Sequence, residues 1–506
     1  MPIDRILAWL VSAALLPAGT ALAEPIQIRE TPSPGQDGRI VLPPVDPVAD
    51  TPSPPWTPQP GGDALPLTLE EAVALALREN RTIRSAYLQR VTQRFDLVAV
   101  ERAFIPRGGI NARIERRESG IADGEASISP FMDWRTPLGT SLRFTWQRRK
   151  PLGEGAGAAS ETAQISLDQP LLRGAGLRVN RAPLRVARLQ ERVNQLNLQG
   201  TIINTISQVV LAYRALTQAE EQVRLAELSL ERAQRLLETN RAMVDAGRMA
   251  AADIVQTESA VANQEVSLLQ TEQSRTSAQL ALLQLLALDP RTNVRTAGAV
   301  AAEPLEIDAE RAVAIALERR VDVVSQELAL EQTREALAVA RNDRLWDVSL
   351  FGTATWRDRD GLEAGLGDDQ DFTAGLSVSI PIGDVGPEQR LVRARTNLQV
   401  AELRFQDLVQ SAENQVRDAV QQVEARWRQV ETARRAQALA ERALQLQQGR
   451  LEAGRASNFE VLSFQADLRA ADIQALNASI AYLNALTALD QQIGSTLDTW
   501  RISVED

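Results

Sequence analysis

Residues 409–430 read VQSAENQVRDAVQQVEARWRQV, and the stretch around them, Pro387 to Leu497, predicts two long antiparallel helices. No Gly or Pro interrupts the chain from Glu388 to Gln448. Apolar residues recur there at alternating steps of three and four, the spacing of a coiled-coil seam; they are Leu391, Leu398, Phe405, Val409, Ala412, Val416, Ala419, Val423 and Val430. At about 1.5 Å per residue this helix is roughly 90 Å long. The pattern therefore predicts an element far longer than one small globular core requires.

The long helix is expected to have more than one neighbour. Val420 and Trp427 lie beside the seam and widen its apolar stripe, and a wide stripe needs contacts on more than one side. The tripeptide Ala453-Gly454-Arg455 predicts a turn. A second, antiparallel helix is expected after it.

An earlier part of the chain carries the same pattern. Ala182–Ala246 has a helical period, Ala246-Gly247-Arg248 repeats the turn, and another helix is predicted from about Ala250 to Leu288. The two turns are 207 residues apart (453 − 246). Residues 67–300 and 301–497 are therefore predicted to be two copies of one unit of helix, strands, long helix, turn and helix. Two copies are few for an open solenoid, so closure by oligomerisation is expected.

The first 23 residues are predicted to be a cleaved signal peptide. Arg5 precedes an apolar run from Ile6 to Leu16, and Ala21-Leu22-Ala23 fits a small-x-small cleavage site. The alternative, a membrane anchor, requires a longer apolar run. Residues 24–66 are crowded with Pro, Gly, Asp and Thr and are predicted to be an extended or disordered leader. Residues 498–506 are assigned to a C-terminal tail.

The first helix is predicted to begin directly after the leader. Thr68 and Glu71, three residues apart, fit a capping box. The helix that they open is predicted to run to about Ala103.

Between the helices the apolar period changes from helical to alternating. Five segments of about ten residues separate apolar from polar side chains, and residues 126–135 form a weaker sixth. Seven apolar residues of these strands are predicted to face lipid: Leu142, Phe144, Trp146, Leu350, Trp356, Leu376 and Val378. Aromatic residues near strand ends are typical of a transmembrane β-barrel. A soluble sandwich has the same alternation and remains the alternative.

The predicted signal peptide and the connections favour the barrel. Thr136–Gly139 is short, whereas Ser119–Glu125, Lys150–Glu161 and Asp358–Gln370 are longer, as in an outer-membrane barrel with short turns on one side. Four or six strands cannot close alone, because lipid offers no hydrogen bonds to free sheet edges. Strands from several chains must therefore combine.

The order of these elements resembles the TolC-like outer-membrane efflux proteins. The likeness spans Leu67 to Leu497 and includes the strand-to-helix joints Asp168–Gly174 (DQPLLRG) and Ser379–Gly383 (SIPIG), and the segments Asp253-Ile254-Val255 and Glu460-Val461-Leu462 after the turns. The resemblance implies an α+β membrane protein. Its trimeric transmembrane β-barrel, with four to six strands per protomer, continues into a long α-helical coiled-coil barrel.

The resemblance also implies a place and partners. The barrel would lie in the outer membrane of a Gram-negative bacterium, and the helices would extend into the periplasm. A periplasmic adaptor and an inner-membrane transporter would complete a route for efflux or type I protein secretion. Members of the family usually have four strands per protomer, so the hairpin Ala126–Gln147 is a departure. Three chains would then contain 3 × 6 = 18 strands instead of 3 × 4 = 12.

A periplasmic gate is a further implication of the resemblance. Acidic residues just after the helical turns ring the entrance in this family, and Asp253 and Glu460 occupy the matching positions. Like charges that converge at a three-fold axis favour cations. The alternative is structural, because acidic side chains stabilise the first turn of any helix and Ser457 with Glu460 fits a capping box.

Two other gate positions differ from the family pattern. Its second aspartate corresponds to Ser463 here, and its basic residue corresponds to Ala456. Arg248 and Arg455 lie next to the turns and could substitute, or could simply be solvated turn residues.

Composition excludes several functions. The chain has no His and no Cys, so the commonest general base, the thiol nucleophile and most transition-metal sites are absent. No catalytic, cofactor or metal site is predicted. With 66 acidic and 55 basic residues, nucleic acid is not an expected partner. The alternative to a duct is a periplasmic coiled-coil adaptor or scaffold, which would need helices without lipid-facing strands.

Overall fold

The computed structural model describes residues 40–42, 65–119, 121–152, 158–247, 250, 252–298, 301–359, 369–453 and 455–504. The predicted signal peptide, most of the predicted leader, and Arg248 lie outside these residues. The chain divides into two units. One contains the short parallel pair Ile40–Leu42 and Ile502–Val504, so three residues of the predicted leader and three of the predicted tail are strands. The other contains the remaining elements.

The strands are β1 (Ile40–Leu42), β2 (Leu65–Leu67), β3 (Arg107–Ser119), β4 (Ile121–Arg135), β5 (Ser141–Leu152), β6 (Ser160–Pro170), β7 (Val294–Thr296), β8 (Asp347–Arg359), β9 (Asp369–Ser379) and β10 (Ile502–Val504). The helices are α1 (Leu69–Glu79), α2 (Arg81–Glu101), α3 (Leu177–Asn180), α4 (Ala182–Asp245), α5 (Ala252–Leu285), α6 (Ala309–Arg319), α7 (Val321–Asp343), α8 (Gly386–Glu452), α9 (Asn458–Ile493) and α10 (Thr496–Thr499). None of the described helices is both long enough and apolar enough to cross a bilayer.

The first helix begins as the sequence predicts. Thr68 Oγ1 accepts a hydrogen bond from the Glu71 amide at 3.2 Å, and the Glu71 carboxylate accepts one from the Thr68 amide at 2.9 Å. These two bonds form the predicted capping box, which satisfies amides that have no partner within the helix. The hydrogen bonds with Thr68 stabilise the ionised carboxylate and therefore lower the pKa of Glu71.

The prediction of one helix from Thr68 to about Ala103 is wrong. The chain breaks at Asn80, whose backbone is extended (φ −62°, ψ 125°). The Asn80 side chain accepts hydrogen bonds from the amides of Thr82 and Ile83, so it caps α2. Its Nδ2 also donates to the Leu285 carbonyl at 2.8 Å. Asn competes in this way with a continuous helix because its short side chain reaches the nearby backbone.

Two long helical hairpins occur where the sequence predicts them. Helices α4 and α8 contain 64 and 67 residues, and their partners α5 and α9 contain 34 and 36. The middle of the predicted seam is buried, and Ala412, Val416 and Val430 are fully enclosed. Val420 is also buried, in a cluster that joins α6, α8 and α9. The widened apolar stripe therefore contacts more than one helix, as predicted.

A buried ion pair joins α2 to α4. Arg90 Nη2 lies 2.6 Å from Glu191 Oε1 and Arg90 Nη1 lies 3.0 Å from Glu191 Oε2, a bidentate arrangement. The two side chains are only 6% and 12% exposed. A second pair between the same helices, Arg188 with Glu101 at 3.1 Å, is largely open to solvent.

The six longer strands form one antiparallel sheet in the order β3-β4-β5-β6-β8-β9. The predicted weak strand is β4, which at 15 residues is the longest of the sheet. The prediction of a longer loop over Ser119–Glu125 is wrong, because β4 begins at Ile121 and Ser119 pairs directly with Ile121. The β4–β5 ladder omits Ser129 and Pro130, and a proline has no N–H to donate to it.

The element order of the first half recurs in the second. Helices α1 and α2, the strands β3–β6, and the hairpin α4–α5 are followed by α6 and α7, the strands β8–β9, and the hairpin α8–α9. The first half contributes four strands to the sheet and the second contributes two.

Candidate functional site

One face of the six-stranded sheet is apolar from the first strand to the last. The strand register pairs Met132 with Phe144, Leu142 with Leu167, and Leu350 with Leu376. Toward the end away from the helices this face also carries the charged pair Arg148 and Glu161. Its apolar residues include Ile110, Ala112, Ile114, Ile128, Met132, Trp134, Leu142, Phe144, Trp146, Ala163, Ile165, Leu167, Leu350, Ala354, Trp356, Phe372, Leu376 and Val378. All seven residues that the sequence predicts to face lipid lie on it. Many of its side chains are exposed in one chain, and an exposed apolar surface of this extent normally contacts protein or lipid.

The opposite face of the sheet is mainly polar. It carries Asn111, Arg113, Ser127, Asp133, Arg143, Thr145, Gln164, Ser166, Asp168, Thr353, Asp371, Thr373 and Ser377. Arg143 and Asp133, which are paired across β4 and β5, form an ion pair at 2.6 Å. A sheet with one apolar and one polar face can separate lipid from an aqueous interior.

Two phenylalanines on the polar face cover glycines of the edge strands. Phe131 of β4 pairs with Gly109 of β3, and Phe351 of β8 pairs with Gly375 of β9. A Cβ atom at Gly109 would lie 2.9 Å from the Phe131 ring, and one at Gly375 would lie 2.8 Å from the Phe351 ring. An aromatic ring that covers a strand glycine helps to fix strand pairing. The two outer strand pairs of the sheet are therefore built alike.

The turn between β4 and β5 is held against the start of the helical region. Its Gly139 has φ +99°, and a Cβ there would lie 2.5 Å from the Gly174 carbonyl oxygen, so only glycine fits. The Gly176 amide donates to the Leu138 carbonyl at 3.0 Å. Asn180 Nδ2 donates to the carbonyls of Gly174 and Gly176, and Asn180 Oδ1 accepts from Arg135 at 3.0 Å.

The predicted gate residues lie at the far ends of the helical hairpins. Asp253 is half-buried in the first turn of α5, and Glu460 is in the first turn of α9. Arg455 is exposed, and its amide donates to the Arg450 carbonyl at 2.8 Å to close the end of α8. Arg248, the fourth predicted gate residue, lies outside the described residues.

The Glu460 carboxylate has a structural role. It accepts a hydrogen bond from the Ser457 amide at 3.0 Å, and Ser457 Oγ accepts one from the Glu460 amide at 3.3 Å. The predicted capping box is therefore confirmed. Glu460 Oε2 also accepts from Gln447 Nε2 at 2.9 Å, which ties α9 to α8 across the turn.

A buried polar cluster that the sequence analysis missed connects the two hairpins near these turns. Asn240 of α4 donates through Nδ2 to Thr257 Oγ1 of α5 at 2.7 Å and to Asn458 Oδ1 of α9 at 2.8 Å. Asn458 Nδ2 donates to Thr257 Oγ1 at 3.1 Å, and Thr257 donates to the Asp253 carbonyl. Asn240 and Thr257 are fully buried. The cluster links the first turns of α5 and α9, where Asp253 and Glu460 lie.

This cluster is hard to predict from the sequence, because Asn240 and Asn458 are 218 residues apart along the chain. The one available signal is an Asn within the apolar pattern at the end of a long helix, where a buried amide needs a partner. Asn240 Oδ1 accepts no hydrogen bond from the described residues.

Replacing Thr257 with Val should destabilise the ends of the hairpins. The variant keeps the side-chain shape but removes the acceptor for both Asn240 and Asn458, and a buried polar group left without a partner costs about 1–3 kcal/mol. Urea unfolding of the purified protein measures the change. Thr276→Val on the exposed side of the same helix removes only a bond to the Glu272 carbonyl and should change stability by less than about 0.5 kcal/mol. Equal effects of the two variants would contradict the prediction.

Charge is also buried between the two hairpins farther along the helices. Arg214 of α4 donates to the Leu483 carbonyl and to Thr487 Oγ1 of α9. Burial lowers the pKa of Arg214 to about 10 and raises the pKa of Asp490. In the described part of the chain, no group of three or more acidic side chains is placed to share a metal ion.

The sequence matches the family model described as outer membrane efflux protein over residues 72–288 and 312–495. No curated protein matches at a significant level. Solved structures with a similar fold include the following three outer membrane proteins. The CmeC outer membrane channel of Campylobacter jejuni is 16% identical with a TM-score of 0.65, covering 85% of this chain and 86% of that chain. The outer membrane protein VceC of Vibrio cholerae is 16% identical with a TM-score of 0.64, and the match covers 84% of this chain and 96% of that chain. The MtrE outer membrane channel of Neisseria gonorrhoeae in its open state is 19% identical with a TM-score of 0.62, and the match covers 85% of this chain and 89% of that chain.

Proposed function

The chain belongs to the outer membrane efflux protein family, and we propose that it is a passive exit duct for efflux or type I protein secretion. Members of this family transport and do not catalyse a reaction. The observation that carries the proposal is a sheet with one apolar and one polar face, in the same chain as helices of 64 and 67 residues. Such helices are about 100 Å long. Family membership supports an outer-membrane location, with the helices crossing the periplasm.

Three copies of the chain are proposed to form the duct. The outer edges of β3 and β9 have no strand partner among the described residues, and lipid cannot satisfy the backbone groups of a free edge. On α8, Leu439 and Leu446 are spaced by seven residues and are 68% and 65% exposed. Apolar residues at that spacing pack against another helix. Both features support a homotrimer that closes a β-barrel and a helical coiled-coil barrel.

The recurring element order supports a duplicated unit, with copies at residues 67–300 and 301–497. In a trimer, two units per chain would place six similar hairpins around the axis. That arrangement distributes helices evenly around a closed ring.

The proposed partners follow from the passive character of the duct. A channel without an energy source requires an inner-membrane transporter, and a periplasmic adaptor would connect the two. Lipid of the outer membrane would surround the apolar face. No nucleic acid, metal or cofactor is part of the proposal.

Membrane fractionation tests the function. We expect the protein in the outer-membrane fraction as a heat-resistant trimer that forms conducting channels in planar bilayers. Light scattering in mild detergent gives the number of subunits. A soluble monomer or dimer in the periplasmic fraction would overturn the duct and favour the adaptor or scaffold. Crosslinking at the hairpin turns in cells would identify the adaptor.

The gate is proposed to lie at Asp253 and Glu460. In a trimer these residues contribute six carboxylates to the entrance, which would favour cations and attract divalent ions. Asp253→Asn combined with Glu460→Gln removes this charge with little change in side-chain size. We expect lower cation selectivity and loss of divalent block in planar bilayers.

The capping alternative makes a different prediction for the same double variant. Conductance and block would be unchanged, and stability would fall by about 0.3–1 kcal/mol per helix. Glu265→Gln, an exposed acid beyond the first turn of α5, is the control for charge removal alone. Unchanged selectivity and block in the double variant would reject the gate and leave the duct intact.

A further inference from the structure

We propose that the hairpin β4–β5 is part of the wall of the transmembrane β-barrel. Three chains would then close a barrel of 3 × 6 = 18 strands, in which β3 of each chain pairs with β9 of the next. The inference rests on the proposed function. The TolC-like family, by the resemblance described above, usually supplies four strands per chain. Here the two additional strands lie in the middle of one hydrogen-bonded sheet, between β3 and β6.

The first support is the continuous apolar face. Met132 and Trp134 of β4 pair with Phe144 and Leu142 of β5, and Phe144 pairs in turn with Ile165 of β6. A hairpin that projected from the wall into water would have no reason to carry apolar side chains on the same face as its neighbours. The alternation of the additional strands is therefore that of a strand facing lipid on one side.

The second support is the anchored turn. Gly139 lies against the Gly174 carbonyl, and Asn180 connects Arg135 to the segment that follows β6. These contacts hold the β4–β5 turn at the helical end of the sheet. The hairpin thus begins and ends at the same level as the strands on either side of it.

The third support comes from the two edges. Successive antiparallel strands alternate in direction, so the first and sixth strands of the sheet run in opposite directions and can pair as antiparallel neighbours around a ring. The edge strands have similar lengths, 13 residues in β3 and 11 in β9. In both, even-numbered residues lie on the apolar face. An edge pairing must keep that match, since a slip of one residue would reverse the faces.

The registers that match the faces differ in the charges that they pair. Arg113, the central residue of β3, and Asp371, near the outer end of β9, are both exposed on the polar face. In the proposed closing register Arg113 lies directly across from Asp371 of the next chain, a favourable pair of opposite charges, and Glu115 lies across from Asp369, a less favourable pair of like charges. The same register sets Ala112 against Phe372 and Asn111 against Thr373.

The additional strands would widen the exit. With strands about 4.8 Å apart and tilted by about 40°, 18 strands enclose a backbone circle about 36 Å across, compared with about 24 Å for 12 strands. Barrels of 16–18 strands leave an aqueous channel. The cargo would then be limited by the helical end of the duct, and the exit would admit bulky molecules or extended polypeptide.

Site-directed fluorescence quenching tests the wall. Because the chain has no cysteine, single cysteines can be labelled without background. In liposomes, the fluorophore at Phe144→Cys should be quenched several-fold more by a lipid-phase quencher than the one at Thr145→Cys, and a water-soluble quencher should give the reverse order. Leu376→Cys and Ser377→Cys are the matched control pair. They lie on β9, which is part of the barrel wall whether the barrel has 12 or 18 strands.

The outcomes separate the two proposals. If residues 376 and 377 differ but 144 and 145 are both quenched only from water, the additional hairpin is outside the wall and the 18-strand barrel is rejected. If neither pair differs, the membrane duct itself is rejected.

Disulfide crosslinking tests the closing edge. Asn111→Cys with Thr373→Cys should give covalently linked chains after oxidation, since the two residues lie on opposite edges of the sheet within one chain. Asn111→Cys with Phe372→Cys is the control, because the second cysteine points to the apolar face and should not crosslink. No crosslink in the first variant, with a trimer still present, would overturn the proposed register.

Discussion

Arginine at Leu376 or Val378 should prevent stable insertion of the sheet, whereas arginine at Ser377 between them should be tolerated. The first two side chains lie on the apolar face and are 59% and 53% exposed in one chain. Ser377 pairs with Ser349 on the polar face. Arginine facing lipid near the bilayer midplane costs about 2–4 kcal/mol. A trimer contains three copies of each substitution, so the loss is multiplied.

Folding into liposomes over a urea series measures this effect, and heat resistance of the trimer provides a second readout. Leu376→Ala is the control for lost side-chain volume without added charge. Equal tolerance of arginine at all three positions would contradict a lipid-facing sheet and would favour a soluble one.

Glu191→Ala should destabilise the protein by about 3–5 kcal/mol, since it leaves the buried Arg90 guanidinium without its bidentate carboxylate. The pair joins α2 to α4 at 2.6 Å with side chains 6% and 12% exposed. Replacing one partner removes the attraction but keeps the desolvation of the other.

A matched control exists on the same two helices. Arg188 and Glu101 are 61% and 41% exposed, and an exposed pair contributes about 0–1 kcal/mol. Glu101→Ala should therefore have a small effect in the same urea-unfolding measurement. A similar loss for both variants would show that helix contact in general, and not the buried charge, determines the stability.

Periodicity explains why so much of the fold could be predicted from sequence. The seam through Ala412, Val416 and Val430 is visible because a helix face repeats every few residues. The caps at Thr68 and Ser457 are equally local, since each involves residues three apart. The alternation within each strand also predicts which of its side chains lie on the apolar face, without any information on the pairing between strands.

The features that sequence analysis missed have two causes. Asn80 lies between segments that both favour helix, so the interruption depends on its particular capping geometry. The other cause is distance along the chain. Asn240 and Asn458 meet only after two hairpins have packed, and no period in the sequence relates them. The roles of Asp253 and Glu460 in a pore are likewise a property of several chains and remain a prediction.

The buried cluster of Asn240, Thr257 and Asn458 also bears on how two such long hairpins find their alignment. A seam of similar small apolar residues changes little if one helix slides by a heptad, which moves it about 10 Å along the axis. The same slip would separate these three polar groups and leave each of them buried without its partners. This polar cluster near the ends of the hairpins therefore fixes the register between them. The rest of the interface can then consist of interchangeable apolar residues, and the helices still pack in one register.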